Sequence, residues 1–368
     1  MENRKISILM VARETIYSSP GGDTTQIKMT AKELVELGVD VDIMLATDKI
    51  NYLKYDIIHF FNIIRPDDIL PHIRSGLPYV VSTIYVDYSE YDKLIRKGFV
   101  ARILKIFNPN QIEFIKTVGR FIFKGNLVKS SYYFFNGHYK SVLKVAADAH
   151  MLLPNSDSEY KRFVNDYGIV RPYRKIVNAI DPKIFSNNVE PNKTYLNHVV
   201  CAGRVEGIKN QLNLIKALVN TKLNLTIVGK PSPNQLSYYD ECVRVAATGD
   251  NVKFIDHIDH SELVRIYSAA KVHVLPSWFE TTGLSSLESA AMNCNIVITK
   301  KGDTEEYFGS FAYYCEPHDL DSIRNSVFEA YESDINPKFR EHIMANYTWK
   351  RAAEQTLQAY NELLKGLV

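Results

Sequence analysis

Short apolar runs alternate with segments of helical period along the first half of the chain. "KISILMVA" is followed by an amphipathic stretch from Asp23 to Leu37, then by "VDVDIML", "YDIIHFF", a short helix near Asp67, and "YVVSTIY". The pattern resumes with "AHMLLPNS", a helix from Asp157, and "RKIVNAID". Runs of four to eight apolar residues between helix-period segments predict a parallel sheet wrapped by helices. After a polar bridge the alternation restarts with "HVVCAGRV", a helix from Asn210, "LNLTIVGK", a helix over Gln235–Ala247, "VKFID", a helix from Ser261 and "VHVLPS".

Two such units in succession predict an α/β chain of two Rossmann-like doubly wound domains facing across a cleft. The expected boundaries are residues 1–180 for the first domain, 181–196 for a linker, and 197–348 for the second domain. The bridge "DPKIFSNNVEPNKTYLN" carries Pro182 and Pro191 and no periodicity, as a linker does. Residues 349–368, with Ala352, Leu357, Tyr360 and Leu363 on one face, predict a terminal helix that must dock somewhere.

Composition narrows the class. At 368 residues and 46% hydrophobic, the chain exceeds one comfortable core. Its net charge of +2 argues against a polyanion-binding protein, and no DNA- or RNA-binding module accompanies the basic residues, so nucleic acid is not expected. Cys201, Cys242, Cys294 and Cys315 lie far apart, which fits neither a metal site nor a disulfide framework and suits a reducing cytoplasm. The N-terminus does not read as a signal peptide, and no apolar stretch approaches the ~20 residues of a membrane span.

One segment breaks the alternation. Within residues 93–147 Glu113 is the only acid, while Arg96, Lys97, Arg102, Lys105, Lys116, Arg120, Lys124 and Lys129 are interleaved with Phe99, Phe107, Phe114, Phe121 and Phe123. Such an insertion suits the face of an anionic membrane, which would place the protein peripherally on the inner face. It also suits a pair of ordinary helices covering the sheet.

Ligands of doubly wound sheets bind beyond the carboxyl ends of the strands, so the residues just after each strand are the candidates. Gly21 and Gly22 follow the first strand and precede a helix; they allow close approach of a ligand and serve equally as a tight turn. Arg204 and Lys209 in "CAGRVEGIKN" bring two cations to a strand end, suited to a diphosphate. Glu280 lies beyond "VHVLPS", before Gly283 and the helix from Leu284, whose free N–H groups face the same place; its carboxylate suits sugar hydroxyls. Glu288, one to two turns in, suits a vicinal diol such as a ribose.

The stretch "LPSWFETTGLSSLESAAMNCNIV" resembles the signature of family 4 glycosyltransferases, which are retaining enzymes of the GT-B fold. The likeness extends to the glycines at Gly21, to "VNAID", "AGRVEGIKN", "IVG" at Gly229, "TEEYFG" and the terminal "YTWKRAAEQ", and so covers nearly the whole chain. It implies that Glu280 contacts the donor sugar, Glu288 the ribose, and Arg204 and Lys209 the diphosphate. It also implies that residues 1–180 bind the acceptor and 197–348 the nucleotide sugar, and that the last helix crosses back to the first domain. The chain departs from the family where "STIYVDY" offers Tyr85 and Asp87, candidate acceptor contacts, in place of a His near an Asp. Ala179 and Cys294 stand where the family has Gly.

The expectation is a retaining transfer from a nucleoside-diphosphate sugar to a carbohydrate or lipid-linked acceptor in surface polysaccharide or glycolipid assembly. No Asp-x-Asp clamp leaves a strand, so neither metal nor cofactor is expected, and Arg204, Lys209 and helix starts would stabilise the diphosphate. The rival is a non-catalytic, membrane-docked scaffold of the same fold that binds nucleotide sugars. A nicotinamide dehydrogenase would need a Gly-x-Gly-x-x-Gly after the first strand, where "SSPGGDTTQ" stands.

Overall fold

The structure is a computed structural model that describes residues 5–87, 90–91, 108–124, 129–186, 188–256 and 258–366. By contacts the chain divides into two compact units. The first comprises residues 1–85, 92–178 and 349–368, and the second residues 86–91 and 179–348.

In the first unit, β1 (Ser7–Ala12), β2 (Asp40–Leu45), β3 (Ile57–Phe61), β4 (Tyr79–Ser82) and β5 (Met151–Leu152) form an all-parallel sheet in the order β2-β1-β3-β4-β5. The helices are α1 (Gly22–Glu36), α2 (Pro66–Ile69), α3 (Pro109–Lys124), α4 (Ser131–Asp148) and α5 (Asp157–Tyr167). β1, β3 and β4 are buried almost throughout because both faces of a parallel sheet are covered, while β2, at the sheet's edge, alternates as DVDIML and is partly exposed. Leu9, Ile58, Phe60, Val81 and Leu152 are fully buried in one core with Val142, Val145 and Phe163 of the helices. Each such side chain contributes about 1.5–3 kcal/mol on burial.

The run "RKIVNAID" does not become a strand. It makes isolated bridges, Leu152 with Tyr173 and Ile180 with Thr348. Leu152 N donates to the Pro172 carbonyl, Arg174 N to the Leu152 carbonyl and Ile176 N to the Pro154 carbonyl, but Pro154 has no N–H to return, so the ladder lapses.

In the second unit, β6 (Val199–Ala202), α6 (Gln211–Leu218), β7 (Leu225–Val228), α7 (Leu236–Ala246), β8 (Val252–Ile255), α8 (His260–Ala269), β9 (Val272–Leu275), α9 (Leu284–Ala291), β10 (Asn295–Thr299), α10 (Thr304–Phe308), β11 (Tyr313–Cys315), α11 (Leu320–Glu332) and α12 (Pro337–Asn346) follow in turn. Its sheet runs β11-β10-β9-β6-β7-β8, all parallel. Residues 181–196 are counted with this unit, where Asn192 Nδ2 donates to Glu262 at 2.5 Å and Arg340 donates to the Phe185 carbonyl at 3.0 Å.

The terminal helix α13 (Trp349–Gly366) packs on α1 in the first unit. Tyr360, fully buried, bonds through its hydroxyl to His59 Nδ1 at 2.7 Å, and His59 Nε2 meets Ser82 at 2.8 Å. Burial holds His59 neutral, its pKa pushed down to about 3. Among the described residues no helix is long and apolar enough to cross a membrane.

Candidate functional site

The strand order of the second sheet reverses between β6 and β9, so the loops leaving these two neighbours flank the crevice where an open α/β sheet takes its ligand. Lys209 comes from the β6 loop and Glu280 from the β9 loop. The two are 71 residues apart in sequence, yet Lys209 Nζ lies 2.5 Å from Glu280 Oε1. Ser277 Oγ donates to the same carboxylate oxygen at 2.6 Å, and Glu280 is 6% exposed. A carboxylate this buried needs both partners.

The backbone beneath it is fixed from a third loop. Glu280 N donates to the Lys301 carbonyl at 3.0 Å, and Asp303 N donates to the Glu280 carbonyl at 2.9 Å, so residues after β10 clamp the acid on both sides. Gly302, at φ 105°, forms the bridge opposite Glu280, and any Cβ there would be driven into the Glu280 carbonyl. Asn210, almost fully buried, donates to the Pro276 carbonyl at 3.0 Å and the Pro317 carbonyl at 2.7 Å, joining the loops after β6, β9 and β11. Trp278 N adds a bond to the Ile208 carbonyl at 2.9 Å.

Arg204 is held differently. Its backbone carbonyl accepts from Gln211 at 2.8 Å, but its side chain is 46% exposed. Glu206 Oε1 lies 3.3 Å from Nη2, and among the described residues no hydrogen bond fixes the guanidinium. Gly229, at the end of β7, packs on Gly203, whose carbonyl a Cβ at Gly229 would strike. Gly283 is the N-cap of α9, so no side chain caps the helix beginning at Leu284. Glu288 faces His260, with Nε2 3.5 Å from Oε1. That hydrogen bond raises the His260 pKa above its ordinary value against the opposing effect of burial. His273 Nδ1, beneath α9, meets Ser286 at 3.2 Å, and burial pushes this imidazole down to about 3.

The remaining candidates lie elsewhere. Gly21 caps α1, which Gly22 opens, and both belong to the first unit. Tyr85 is built into the first unit's wall: its hydroxyl donates to Asp166 at 2.6 Å and its N–H to Glu159 at 2.8 Å. Asp87 belongs to the short segment that clusters with the second unit. The structure therefore brings Arg204, Lys209, Gly229, Glu280, Gly283, Leu284 and Glu288 into one unit, and Ser277, Asn210, His260 and Gly302 join them unannounced. Ser277 lies inside the quoted "LPSWFE" and could have been found as the nearest hydroxyl to Glu280; Gly302 looks in sequence like any turn. Among the described residues no three His, Cys, Asp or Glu side chains group to hold a metal ion.

Comparison with known proteins places this arrangement. Residues 183–348 match the family described as glycosyl transferases group 1. A D-inositol 3-phosphate glycosyltransferase of Nocardioides is 25% identical over 255 residues, covering 59% of this chain and 54% of that protein. A glycogen synthase of Mycobacterium tuberculosis is 25% identical over 203 residues, covering 52% and 49%. The chain thus spans about half the length of these curated relatives. The solved structure of sucrose-phosphate synthase from Thermosynechococcus elongatus superposes with a TM-score of 0.71 at 16% identity, covering 98% of this chain and 100% of that one. Alr3699/HepE of Anabaena, in complex with UDP and glucose, gives 0.68 at 14% identity, covering 97% and 100%. The chain has the fold of GT-B glycosyltransferases, and its residues 183–348 carry the pattern of the glycosyl transferases group 1.

Proposed function

We propose that the protein is a retaining glycosyltransferase of family 4 that moves a sugar from a nucleoside-diphosphate donor to an acceptor hydroxyl without a metal or cofactor. The observation that carries this reading is the Lys209–Glu280 pair at the β6/β9 crevice, with the half-exposed Arg204 on the same strand end. Arg204 and Lys209 meet the diphosphate, Glu280 accepts from the sugar hydroxyls, and Glu288 holds the ribose, with the uncapped start of α9 directed at the developing charge. The bond from the anomeric carbon to the diphosphate oxygen breaks as the acceptor oxygen attacks the same face. The acceptor's proton passes to the departing phosphate. No side chain of this chain serves as nucleophile.

The curated relatives include glycosyltransferases and a glycogen synthase, and one structural neighbour was solved in complex with UDP and glucose, which supports a nucleotide-sugar donor here. The acceptor is a surface polysaccharide or a lipid-linked glycan on the inner face of a membrane, a reading that rests on the basic aromatic insertion. Incubation with UDP-, GDP- and ADP-sugars in excess chelator is the test. Slow donor hydrolysis by the native chain, lost in Glu280→Ala, is expected. Nucleotide binding without hydrolysis or transfer would instead make it a non-catalytic scaffold, and rescue only by Mg²⁺ or Mn²⁺ would refute the metal-free mechanism.

A further inference from the structure

We propose that the cavity between α3 and α4 of the first unit is a holding site for a neutral carbohydrate chain, recognised by side-chain amide donors over an aromatic floor. The cavity has a volume of about 660 Å³, a size ordinary for small-molecule sites. Its existence follows from the sequence of α4, which breaks at Gly137 with φ 75° and so leaves a gap beside α3.

The wall chemistry is specific. Asn108 Oδ1 accepts from Gln111 N at 2.9 Å, and Gln111 Oε1 accepts from Asn108 N at 3.0 Å, a reciprocal cap of α3. Asn110 Oδ1 accepts from the Tyr167 hydroxyl at 3.0 Å. Each of these oxygens has one of its two lone pairs engaged, so the three side chains are fixed in orientation and keep their amide N–H groups for a ligand. Asn136 is reversed: its Nδ2 donates to the Tyr132 carbonyl at 3.0 Å, so it offers an oxygen. His138 lines the wall at 4% exposure with Nδ1 3.3 Å from the Tyr133 hydroxyl, and among the described residues Nε2 has no partner. Burial holds this imidazole neutral, its pKa pushed down to about 4. Phe114 and Tyr139 supply the apolar surface; Tyr139 is stacked on Tyr167, which fixes the ring.

That combination selects the ligand. Among the described residues no Lys, Arg, Asp or Glu lines the cavity, and neighbouring Lys116 and Glu113 pair at 2.6 Å, so its described wall offers an anion no counter-charge. An alkyl chain would leave the amide groups and the buried imidazole without partners. Sugar hydroxyls donate and accept, and the ring face packs on an aromatic side chain. Tyr167, whose hydroxyl meets Asn110, also packs on Tyr85 with ring centroids 5.9 Å apart, while Lys209 and Glu280, the residues proposed to act on the donor, belong to the second unit. It holds a chain, then, and does not react it.

The inference leans on the glycosyl-transfer reading only for the supply of such a chain, and its test reads binding alone. Neutral tetrasaccharides of glucose, mannose, galactose and N-acetylglucosamine would be titrated into the full chain, with UDP, GDP and ADP as separate probes. At least one saccharide should bind, and Tyr139→Ala should weaken it about tenfold with nucleotide affinity unchanged. Ile115→Trp, which plugs the cavity from a position 43% exposed and so spares the fold, should do the same. Absence of binding by all four saccharides at millimolar concentration, or equal binding by both variants, would overturn the proposal. So would phosphatidylglycerol vesicles that bind through this cavity while no saccharide does. Failure of nucleotide binding alone would count against the transfer reading and leave the saccharide result standing.

Discussion

Each sheet has one place where its strand order turns round, and the chain furnishes the two in opposite ways. In the first unit the turn lies between β1 and β3, and the residue leaving β1 is Arg13. Its guanidinium is spent inside the protein, on Asp23 at 2.5 and 3.0 Å, Thr15 at 2.6 Å and the Ser19 carbonyl at 2.8 Å. Burial pushes the Asp23 carboxyl up, but the hydrogen bond and charge of Arg13 outweigh it and hold the pKa below its ordinary value. In the second unit Arg204 leaves β6 with its guanidinium half exposed and a single side-on acid, while Lys209 meets one carboxylate. A cation whose donors are all satisfied by its own chain is a structural part. One with donors to spare is equipped for a ligand.

The largest effect should test that contrast directly. Glu280→Ala or Lys209→Ala is expected to cut transfer by about 10²–10³-fold, the scale of losing one preorganised electrostatic group. Because Lys209 is released when Glu280 goes, nucleoside-diphosphate affinity should hold or rise in Glu280→Ala and fall in Lys209→Ala. Arg13→Ala should cost about 1–3 kcal/mol of stability, read by denaturant unfolding, yet leave turnover per folded molecule near that of the native chain. Equal loss of turnover in Arg13→Ala would erase the distinction between the two turns.

Glycines sharpen the comparison at a smaller scale. Gly302→Ala forces a methyl into the Glu280 carbonyl at φ 105°, which should cost about 1–3 kcal/mol in strain and displace the acid. Gly21 has extended backbone at φ −149°, and a Cβ there meets only Asp23 Oδ1 at 3.1 Å and Arg13. Gly21→Ala should therefore be nearly silent in unfolding and in nucleotide binding. Loss of nucleotide affinity in Gly21→Ala would mean that the first unit contributes backbone contacts to the donor.

A gentler effect concerns Glu288. The Glu288 carboxylate favours the protonated form of His260, so its folded pKa lies above its unfolded value near 6.5. The pair's stabilisation is fully present below the unfolded pKa and is lost as pH rises through the folded one. Over the same window Glu288 is released to ribose hydroxyls, and nucleotide affinity should rise. Glu288→Gln should weaken nucleotide binding by about 1–3 kcal/mol, flatten this pH dependence, and let the His260 pKa, followed by NMR, fall back. An unchanged profile in Glu288→Gln would return Glu288 to an ordinary helix acid.

Much of this was legible from the chain because buried parallel strands are written as uninterrupted apolar runs: "VVCA", "LTIV" and "VHVL" are buried at every position. Arg204, Lys209 and Glu280 could each be assigned to a strand end for the same reason. The meeting of Lys209 with Glu280 could not, since it depends on β9 lying beside β6, which no local signal announces. "RKIVNAID" misled because its pattern is apolar while Pro154, just past the strand beside it, lacks the donor a ladder needs. Asn210 and Gly302 act through backbone carbonyls of distant loops, and a carbonyl has no signature in sequence.

The smallest effect concerns the basic insertion, where the sequence counted cations without knowing which were already engaged. Lys116 is paired with Glu113, and Phe114 packs on Tyr133 with ring centroids 5.6 Å apart. Lys129 lies 2.6 Å from Asp68, and its N–H donates to Asp67 at 3.1 Å, so it pins the start of α4 to α2. Arg96, Lys97, Arg102, Lys105, Phe99 and Phe107 lie outside the described residues, as do the side chains of Arg120, Phe121, Phe123 and Lys124. If the insertion meets an anionic surface, each cation engaged there contributes about 1 kcal/mol, roughly fivefold in partitioning. Lys129 is committed elsewhere and should contribute almost nothing. In co-sedimentation with phosphatidylglycerol vesicles at low salt, Arg102→Gln should lower binding about fivefold, and Lys129→Gln should change it by less than about twofold while lowering thermal stability. The reverse ranking would show Lys129 leaving Asp68 for the lipid, and indifference of the native chain to the vesicles would leave the insertion as a cover for the first sheet.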